Sequence, residues 1–222
     1  MISLDFDGAI FDMDGTLLDT MPYWRYTTLE YMLAHGEPVP QEMLLRMFST
    51  SSRKLIFAYL DAKGAAYDRR AIISELEGYM NRHYLYDARI KGSAKAFLSE
   101  LSRRGVRMCV ATGSPREYAR NGLRRLGLLD SFAYVTDNYE LPLTKDQPEY
   151  FIAQCERLGV APDRCWVFED ALYAMRSAKA AGLRVCAIED DTALSDREEI
   201  IKCADVYIRD YAELMEQTKV CS

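Results

Sequence analysis

The chain has 222 residues, of which 49% are apolar and 28% are charged. These proportions exclude an intrinsically disordered chain, and the length favours one large domain or a core with a modest inserted domain. The net charge of −6 disfavours a nucleic-acid partner, and no apolar run reaches the roughly 18 residues that a membrane span needs.

The predicted elements begin with a short buried strand over residues 9–11, which runs into an acidic turn at Asp12. The next stretch, 19–89, shows no strand pattern and is predicted to be an inserted all-helical module. Serines before the third of its helices and Asp68 before the fourth are predicted to cap those helices. The predicted helices cover residues 23–34, 41–48, 53–63 and a longer run with Ile72, Leu76, Tyr79 and His83 on one face.

Helices and strands alternate from residue 90 to the end of the chain. Strands alternating with helices of 10–12 residues predict a parallel sheet with helices on both faces, that is, an α/β core formed by residues 1–18 and 90–222. Strands are predicted over 106–111, 132–136, 165–168, 183–188 and 206–208. Helices are predicted over 93–104, 115–127, 148–158 and 171–181, and from Asp210.

Polar side chains follow the predicted strands, at the sheet edge where open α/β proteins bind their ligands. Four clustered carboxylates repel one another and one lysine cannot neutralise them, which indicates Mg²⁺ together with a substrate phosphate. The residues brought to this edge are Asp12, Asp14, Thr112, Gly113, Lys145, Glu169 and Asp170.

The spacing of Asp12 and Asp14 places two carboxylates on one side of an extended segment. Asp12 is predicted to attack phosphorus and form an aspartyl-phosphate, and Asp14 to act as general acid and base. Thr112 and Gly113, which precede a helix, are predicted to bind phosphate oxygens. Lys145 is predicted to offset the negative charge of Asp12 and of the transferring group.

Segments 11–16 and 110–114, Lys145, and segment 167–170 resemble, in order, the four motifs of the haloacid dehalogenase superfamily. The resemblance extends to the subgroup of small phosphatases and β-phosphoglucomutase. It implies a Rossmann-like core with a helical cap inserted after the first motif. It also implies Mg²⁺ bound by the side chains of Asp12 and Asp170 and the backbone carbonyl of Asp14, with Glu169 binding the ion directly or through its ligands. Arg53 and Trp24 in the cap would then be substrate residues, with Arg53 reaching the distal part of the substrate.

Departures from the family pattern bear on the reaction. Family members that hydrolyse haloacids or phosphonates lack the second acid of the first motif, so the presence of Asp14 argues against both reactions. The cap-hinge histidine of β-phosphoglucomutase corresponds to Trp24, which favours water as the phosphoryl acceptor. The usual proline after the third-motif lysine is Asp146, which predicts a shifted loop, and the usual serine after the acid pair is Ala171.

Other interpretations stay open beside these. Asp5 and Asp7 form a second D-x-D-G sequence, expected to be a solvated turn. Segment 91–125 carries nine basic and two acidic residues, which a solvated helical surface explains better than a nucleic-acid patch. Eight of the fifteen tyrosines lie in segment 19–89; helix packing is the simplest explanation, and a ring-stacking pocket or a dimer face is the alternative.

The expected protein is a Mg²⁺-dependent phosphatase that hydrolyses a small phosphorylated metabolite. A phosphosugar mutase of the β-phosphoglucomutase type is the alternative, and a non-catalytic acidic binding module is a third hypothesis. We expect no nucleic-acid or membrane partner and a monomer or weak dimer. The first 14 residues hold four acids and no basic residue, so we expect no targeting peptide.

The cysteines support a cytoplasmic location. No two of them are closer than ten residues, which excludes a C-x-x-C metal or redox pair. Several lie in or beside apolar runs, so we expect buried thiols in a reducing compartment. The cysteines are Cys109, Cys155, Cys165, Cys186, Cys203 and Cys221.

Overall fold

The computed structural model describes residues 5–47, 50–138, 140 and 142–219. The chain divides into two compact units. The first, here called the core unit, comprises Met1–Asp19 and Arg89–Ser222, and the second, the helical unit, comprises Thr20–Ala88. Each limit lies one residue from the limit predicted from the sequence. The role of the helical unit as a cap stays a prediction.

The core unit contains eight strands and six helices within the described residues. The strands are β1 (Gly8–Phe11), β2 (Leu18–Asp19), β3 (Arg89–Ile90), β4 (Arg107–Ala111), β5 (Tyr134–Thr136), β6 (Cys165–Glu169), β7 (Arg184–Ile188) and β8 (Val206–Ile208). The helical unit supplies α1 (Met21–Ala34), α2 (Gln41–Arg46), α3 (Ser52–Ala62) and α4 (Arg69–Tyr86). The core helices are α5 (Ala94–Arg103), α6 (Arg116–Arg125), α7 (Pro148–Leu158), α8 (Leu172–Ala180), α9 (Arg197–Cys203) and α10 (Ala212–Lys219).

Six strands form one parallel sheet in the order β5-β4-β1-β6-β7-β8. β2 and β3 pair antiparallel as a separate two-stranded ladder. Both neighbours of β1, β4 and β6, are themselves fully hydrogen-bonded inner strands, so β1 lies at the centre of the sheet. The carboxyl ends of β1, β4 and β6 therefore meet at one edge.

Helices cover both faces of this sheet. Successive residues of β1 point to opposite sides, so neighbouring residues of this strand pack against helices on different faces. Phe11 stacks on Phe168 with ring centroids 4.4 Å apart and meets the edge of Phe97 on α5. On the other side, Ile10 belongs to a buried cluster that includes Phe151 of α7 and Met175 of α8. The predicted α/β Rossmann-like fold is confirmed.

The helical unit follows its predicted pattern with small differences. Asp68 caps α4 by accepting hydrogen bonds from two backbone N–H groups of the first turn, as predicted. The buried residues of α4 are Ile72, Leu76, Met80 and Tyr84. Tyr79 is half-buried and packs against the cluster that contains Ile72 and Leu76, and His83 is half-buried. The buried residues recur every four positions. A helix has 3.6 residues per turn, so each of these steps shifts the buried stripe by about 40° round the helix axis.

The serine cap predicted for α3 was wrong. Ser51 occupies the N-cap position, but its side chain makes no capping hydrogen bond. The hydroxyl of Ser52 donates instead to the carbonyl of Trp24 at 2.7 Å and accepts from Thr27 at 2.9 Å. The Ser52 hydroxyl therefore bonds to residues of α1 and not to the backbone N–H groups at the start of its own helix.

Three smaller differences concern the core. Pro115 is the N-cap residue of α6 rather than its first helical residue, and β5 begins at Tyr134 rather than at residue 132. Helix α9 was not predicted; it has seven residues, and Ile200 is its buried side chain, so it shows no apolar periodicity.

Five cysteines are free thiols, four of them buried and Cys203 half-buried. Cys221 lies outside the described residues. Among the helices that the structure describes, none combines the length and the apolar character that crossing a bilayer requires.

Candidate active site

The site begins where the central strands end. The backbone N–H of Asp12 donates to the carbonyl of Phe168 at 2.9 Å, so Asp12, the residue after β1, is still hydrogen-bonded to β6. The backbone N–H of Thr112 donates in the same way to Thr136, at 3.0 Å, beyond the end of β4. These bonds fix the residues that follow the strands at one edge of the sheet.

A cluster of three buried carboxylates lies at this edge. Asp12, Glu169 and Asp170 each offer one oxygen, and these three oxygens lie within 4.8 Å of one another. The three residues are 8%, 2% and 5% exposed. Carboxylates buried this deeply need a cation or protons to offset their mutual repulsion.

Lys145 supplies part of that compensation. Its ammonium group donates to Oδ1 of Asp12 and, at 2.9 Å, to Oε2 of Glu169, and the residue is 3% exposed. The predicted loop shift at Asp146 does not keep Lys145 away from the carboxylates. Asp146 accepts a hydrogen bond from the hydroxyl of Thr144 in the turn that precedes α7.

The electrostatics of the cluster follow from burial and mutual charge. Burial, followed by the charge of Asp12, raises the pKa of Glu169 to about 7. Burial, followed by the charges of Glu169 and Asp12, holds the pKa of Asp170 well above its usual value. Burial alone would lower the pKa of Lys145, but the charges of Asp12 and Glu169 outweigh burial and hold it well above the ordinary value.

This donor set fits Mg²⁺. Hard divalent cations prefer oxygen ligands, and the cluster offers oxygens from three carboxylates. A single ammonium group, that of Lys145, offsets their negative charge only in part. Burial, and after it the charges of neighbouring carboxylates, raise the pKa values of Glu169 and Asp170, and a bound cation would favour the charged form of both groups.

Asp14 lies beside this cluster and is half-buried. Its Oδ2 accepts a hydrogen bond of 2.7 Å from the hydroxyl of Ser114. The backbone N–H of Ser114 in turn donates to the hydroxyl of Thr112 at 3.0 Å. The hydrogen bonds link the ends of β1 and β4 through side chains, and they give Asp14 a fixed orientation.

The hydrogen bond from Ser114 to Asp14 was not predicted, although Ser114 lies in segment 110–114, which resembles the second family motif. The available signal was its position two residues after Thr112, beyond the end of β4. Two further contacts were missed: the hydroxyl of Thr16 donates to Oδ1 of Asp170 at 3.3 Å, and the buried hydroxyl of Tyr211 donates to the carbonyl of Thr16 at 3.2 Å.

The remaining predicted residues lie as follows. Gly113 is exposed between Thr112 and Ser114. Ala171 lacks the family's hydroxyl, but its backbone N–H donates to Oε1 of Glu169 at 3.2 Å. Asp5 and Asp7 are exposed and pair with Arg164 at 3.0 and 3.1 Å, so both acids of the earlier D-x-D-G sequence lie at the surface and outside the carboxylate cluster, while its Gly8 begins β1.

Arg53 and Trp24 belong to the helical unit. The Arg53 guanidinium pairs with Glu77 at 2.9 Å, and the Trp24 carbonyl accepts hydrogen bonds from Thr27 and Ser52. A substrate contact by either side chain stays a prediction.

Comparison with known proteins gives a family. Residues 6–182 match the haloacid dehalogenase-like hydrolase family. Among curated proteins, the chain is 29% identical to validoxylamine A 7′-phosphate phosphatase of Streptomyces hygroscopicus subsp. limoneus, over 93% of this chain and 94% of that protein. It is 30% identical to the fructose-1-phosphate phosphatase of Escherichia coli strain K12, over 80% of this chain and 94% of that protein.

Solved structures share the fold. CbbY from Rhodobacter sphaeroides in complex with phosphate superposes with a TM-score of 0.78 at 22% identity, covering 94% of this chain and 96% of that one. A Thermotoga maritima protein described as a β-phosphoglucomutase superposes with a TM-score of 0.76 at 21% identity, covering 96% of this chain and 98% of that one. The family match spans most of the chain, and the protein therefore belongs to the haloacid dehalogenase-like hydrolases, as an enzyme of the phosphoric monoester hydrolase class.

Proposed function

We propose that the protein hydrolyses a phosphomonoester of a small metabolite, with Mg²⁺ as cofactor and an aspartyl-phosphate on Asp12 as intermediate. The observation that carries the proposal is the buried cluster of Asp12, Glu169 and Asp170, in which the Lys145 ammonium group contacts Asp12 and Glu169. A phosphatase needs such a site because phosphoryl transfer depends mainly on positioning and on compensation of charge.

The proposed metal ligands are the side chains of Asp12 and Asp170 and the backbone carbonyl of Asp14, with Glu169 as a direct or indirect ligand. When bound, Mg²⁺ would neutralise negative charge on the phosphoryl group and on the carboxylates. The all-oxygen donor set supports this choice of cation.

In the first half of the reaction, a carboxylate oxygen of Asp12 attacks phosphorus and the bond from phosphorus to the substrate oxygen breaks. Asp14 gives its proton to that oxygen, so the substrate leaves as an alcohol. The Lys145 ammonium group offsets charge on Asp12 and on the phosphoryl oxygens. Thr112 and Gly113, at the end of β4, are proposed to donate hydrogen bonds to those oxygens.

In the second half, water attacks the phosphorus of the aspartyl-phosphate. Asp14, now a carboxylate, takes a proton from that water, and the bond between phosphorus and Asp12 breaks to release inorganic phosphate. The hydrogen bond from Ser114 supports this double role because it fixes the Asp14 carboxyl group in one orientation.

The phosphosugar mutase is the second candidate function, and the Thermotoga maritima neighbour favours it. Trp24 replaces the histidine that the mutase uses at its cap hinge, which supports water as the acceptor. The names of the curated relatives support a phosphorylated carbohydrate or a related polyhydroxylated metabolite as substrate. We also propose that the protein is located in the cytoplasm and that it is a monomer or a weak dimer.

A screen of phosphorylated metabolites tests this function. We expect release of inorganic phosphate from one or more sugar or polyol phosphates, and loss of that release when EDTA removes divalent cations. The screen includes hexose phosphates with a bisphosphate primer, followed by analysis of both isomers. Isomer formation without phosphate release would establish the mutase instead, and phosphate release that persists in EDTA would contradict the metal requirement.

Replacement of Asp14 tests the acid–base assignment. Asp14→Asn removes both proton transfers, and we expect turnover of an alkyl phosphate to fall by about 10²–10⁴-fold. An aryl phosphate needs little help from an acid, so its first half-reaction should continue and the phosphoenzyme should accumulate. The measurement is a rapid burst of phenol release, equal to one per enzyme, followed by slow turnover. Equal losses for both substrates and no burst would argue against this role.

A further inference from the structure

A buried ion pair between Lys91 and Asp190 lies in the core unit and has no role in the reaction described above. Lys91 follows β3, and Asp190 follows β7. The Lys91 ammonium group lies 2.7 Å from Oδ2 of Asp190, and the two side chains are 15% and 6% exposed. The other carboxylate oxygen of Asp190 accepts hydrogen bonds from the N–H and the hydroxyl of Thr192, at 2.9 and 2.6 Å. Asp190 is therefore a fixed anchor for Lys91.

Lys91 holds the turn that follows Asp14. Its ammonium group also donates to the carbonyl of Gly15, and its backbone N–H donates to the carbonyl of Leu17 at 2.9 Å. Gly15 has a φ of 82°, so the chain reverses here in a conformation that most residues avoid. One residue thus binds both ends of a tight turn directly behind the proposed acid–base residue.

The same turn reaches the carboxylate cluster. The residue after Gly15 is Thr16, whose hydroxyl donates to Oδ1 of Asp170 at 3.3 Å, while its carbonyl accepts from the hydroxyl of Tyr211 at 3.2 Å. A displacement of Gly15 would move Thr16 as well, because the two are joined by a planar peptide bond. The contacts form a continuous path from the ion pair to Asp170.

We propose that the Lys91–Asp190 ion pair positions the Gly15–Thr16 turn and, through Thr16, holds the Asp170 carboxylate in the geometry that binds a divalent cation. The inference rests on the proposed function for the assignment of Asp170 to Mg²⁺. Groups behind the direct ligands of a metal orient those ligands, and their loss weakens metal binding.

A purely electrostatic role makes different predictions. If Lys91 acted only as a positive charge near the cation, Lys91→Met would strengthen Mg²⁺ binding and Asp190→Asn would weaken it. The double variant would then bind like the wild type, because the pair is neutral as a whole. If the pair positions the turn, both single variants and the double variant weaken binding in the same direction.

Isothermal titration calorimetry with Mg²⁺ on the full chain distinguishes these roles. We expect the Kd for Mg²⁺ to rise by about tenfold in Lys91→Met, in Asp190→Asn and in the double variant. Lys91→Arg keeps a cationic donor and should restore most of the affinity. Lys179→Met is the matched control, since Lys179 forms a Lys–Asp ion pair of 2.7 Å with Asp205 in the same unit and should bind as the wild type does. Unchanged or tighter binding in Lys91→Met would overturn the proposal.

Hydrogen exchange separates failure of this inference from failure of the proposed function. The N–H groups of Leu17 and Leu18 both donate to the carbonyl of Met13 at 2.9 Å. In the metal-free protein these amides should exchange faster in Lys91→Met than in the wild type or in Lys179→Met. If the wild type bound no Mg²⁺ or hydrolysed no phosphate ester, the proposed function would fail, and exchange alone would decide the positioning role. Equal exchange in all three proteins would overturn it.

Discussion

Asp12→Asn should abolish hydrolysis of a generic aryl phosphate while the protein remains folded. Asparagine has nearly the shape of aspartate, but its amide is not a nucleophile, so no aspartyl-phosphate forms. Losses on removal of an enzyme nucleophile can exceed about 10⁴-fold in kcat, and we expect a loss of at least that size. Steady-state release of phosphate measures it, and trapping of radiolabelled phosphate on the wild-type chain provides the positive counterpart.

The fold should tolerate this change. The substitution removes one of three clustered buried carboxylates, two of which share the Lys145 ammonium group, so it lowers the repulsion in the metal-free site. Lys145 keeps its contact with Glu169. The matched control is Asp7→Asn in the earlier D-x-D-G sequence, where Asp7 is exposed and paired with Arg164; its activity should equal that of the wild type. Unchanged turnover in Asp12→Asn would remove the mechanism.

The carboxylates of the site were predictable from sequence because their placement follows from strand ends alone. Asp12 comes directly after β1, and Glu169 and Asp170 come at the end of β6. In a parallel sheet the carboxyl ends of neighbouring strands meet at one edge, so acids at those positions converge whatever the helices do between them. The registers of the sheet agree with this, since β1 pairs with β6 from Gly8 to Phe11.

Lys145 was predictable as a residue that offsets the charge of Asp12, but its burial and its contact with Glu169 were not. It follows β5, which is the edge strand and is separated from β1 by β4. The periodicity of apolar residues along the sequence does not indicate the order of strands in a sheet. Contact with Asp12 depends on the turn before α7, which brings the lysine back to the centre of the edge.

The contacts that orient the side chains of the candidate site could not be predicted from the sequence. Ser114 binds Asp14 across 100 residues, Lys91 binds Asp190 across 99, and Tyr211 binds Thr16 across 195. Single residues of common type carry these contacts, and no spacing rule relates the two partners. The Ser52 hydroxyl, one of the serines considered for the wrong cap, likewise binds a residue of a neighbouring helix in the folded chain.

These two levels of predictability correspond to two kinds of physical constraint. Topology brings the carboxylates together and thereby creates a charge that must be offset. The packed tertiary structure then decides which groups offset it and in which orientation. Lys145 belongs to both levels, since the sequence places it near the site while only the structure shows it buried between two carboxylates.

Lys145→Met should therefore impair stability and catalysis in separable ways. In EDTA the substitution leaves Asp12 and Glu169 buried without their shared cation. Removal of one partner from a buried ion pair typically costs about 3–5 kcal/mol in the free energy of unfolding, and we expect a loss of that order. Chemical denaturation measures it. Lys179→Met, which breaks a half-exposed pair, should cost less than about 1 kcal/mol.

The dependence of that loss on pH gives a second test. The pKa of Glu169 is about 7 in the native wild-type protein, against an ordinary value of 4.5. The native state therefore binds more protons than the unfolded state between these values, and the free energy of unfolding falls as pH rises through them. Without Lys145 the pKa of Glu169 rises further, so the deficit of the variant should be smaller near pH 5, where Glu169 is neutral in both proteins, than above pH 7. A deficit independent of pH would contradict this cause.

Saturating Mg²⁺ should restore much of the stability of Lys145→Met but not its activity. A cation bound at the cluster replaces the missing positive charge, and binding to the native state alone stabilises that state. The transferring phosphoryl group would still lack the ammonium group beside Asp12, so kcat should stay about 10²–10³-fold below that of the wild type. Full recovery of turnover with Mg²⁺ would show that Lys145 serves the fold and not the reaction, because the cation would then supply everything that the lysine contributes.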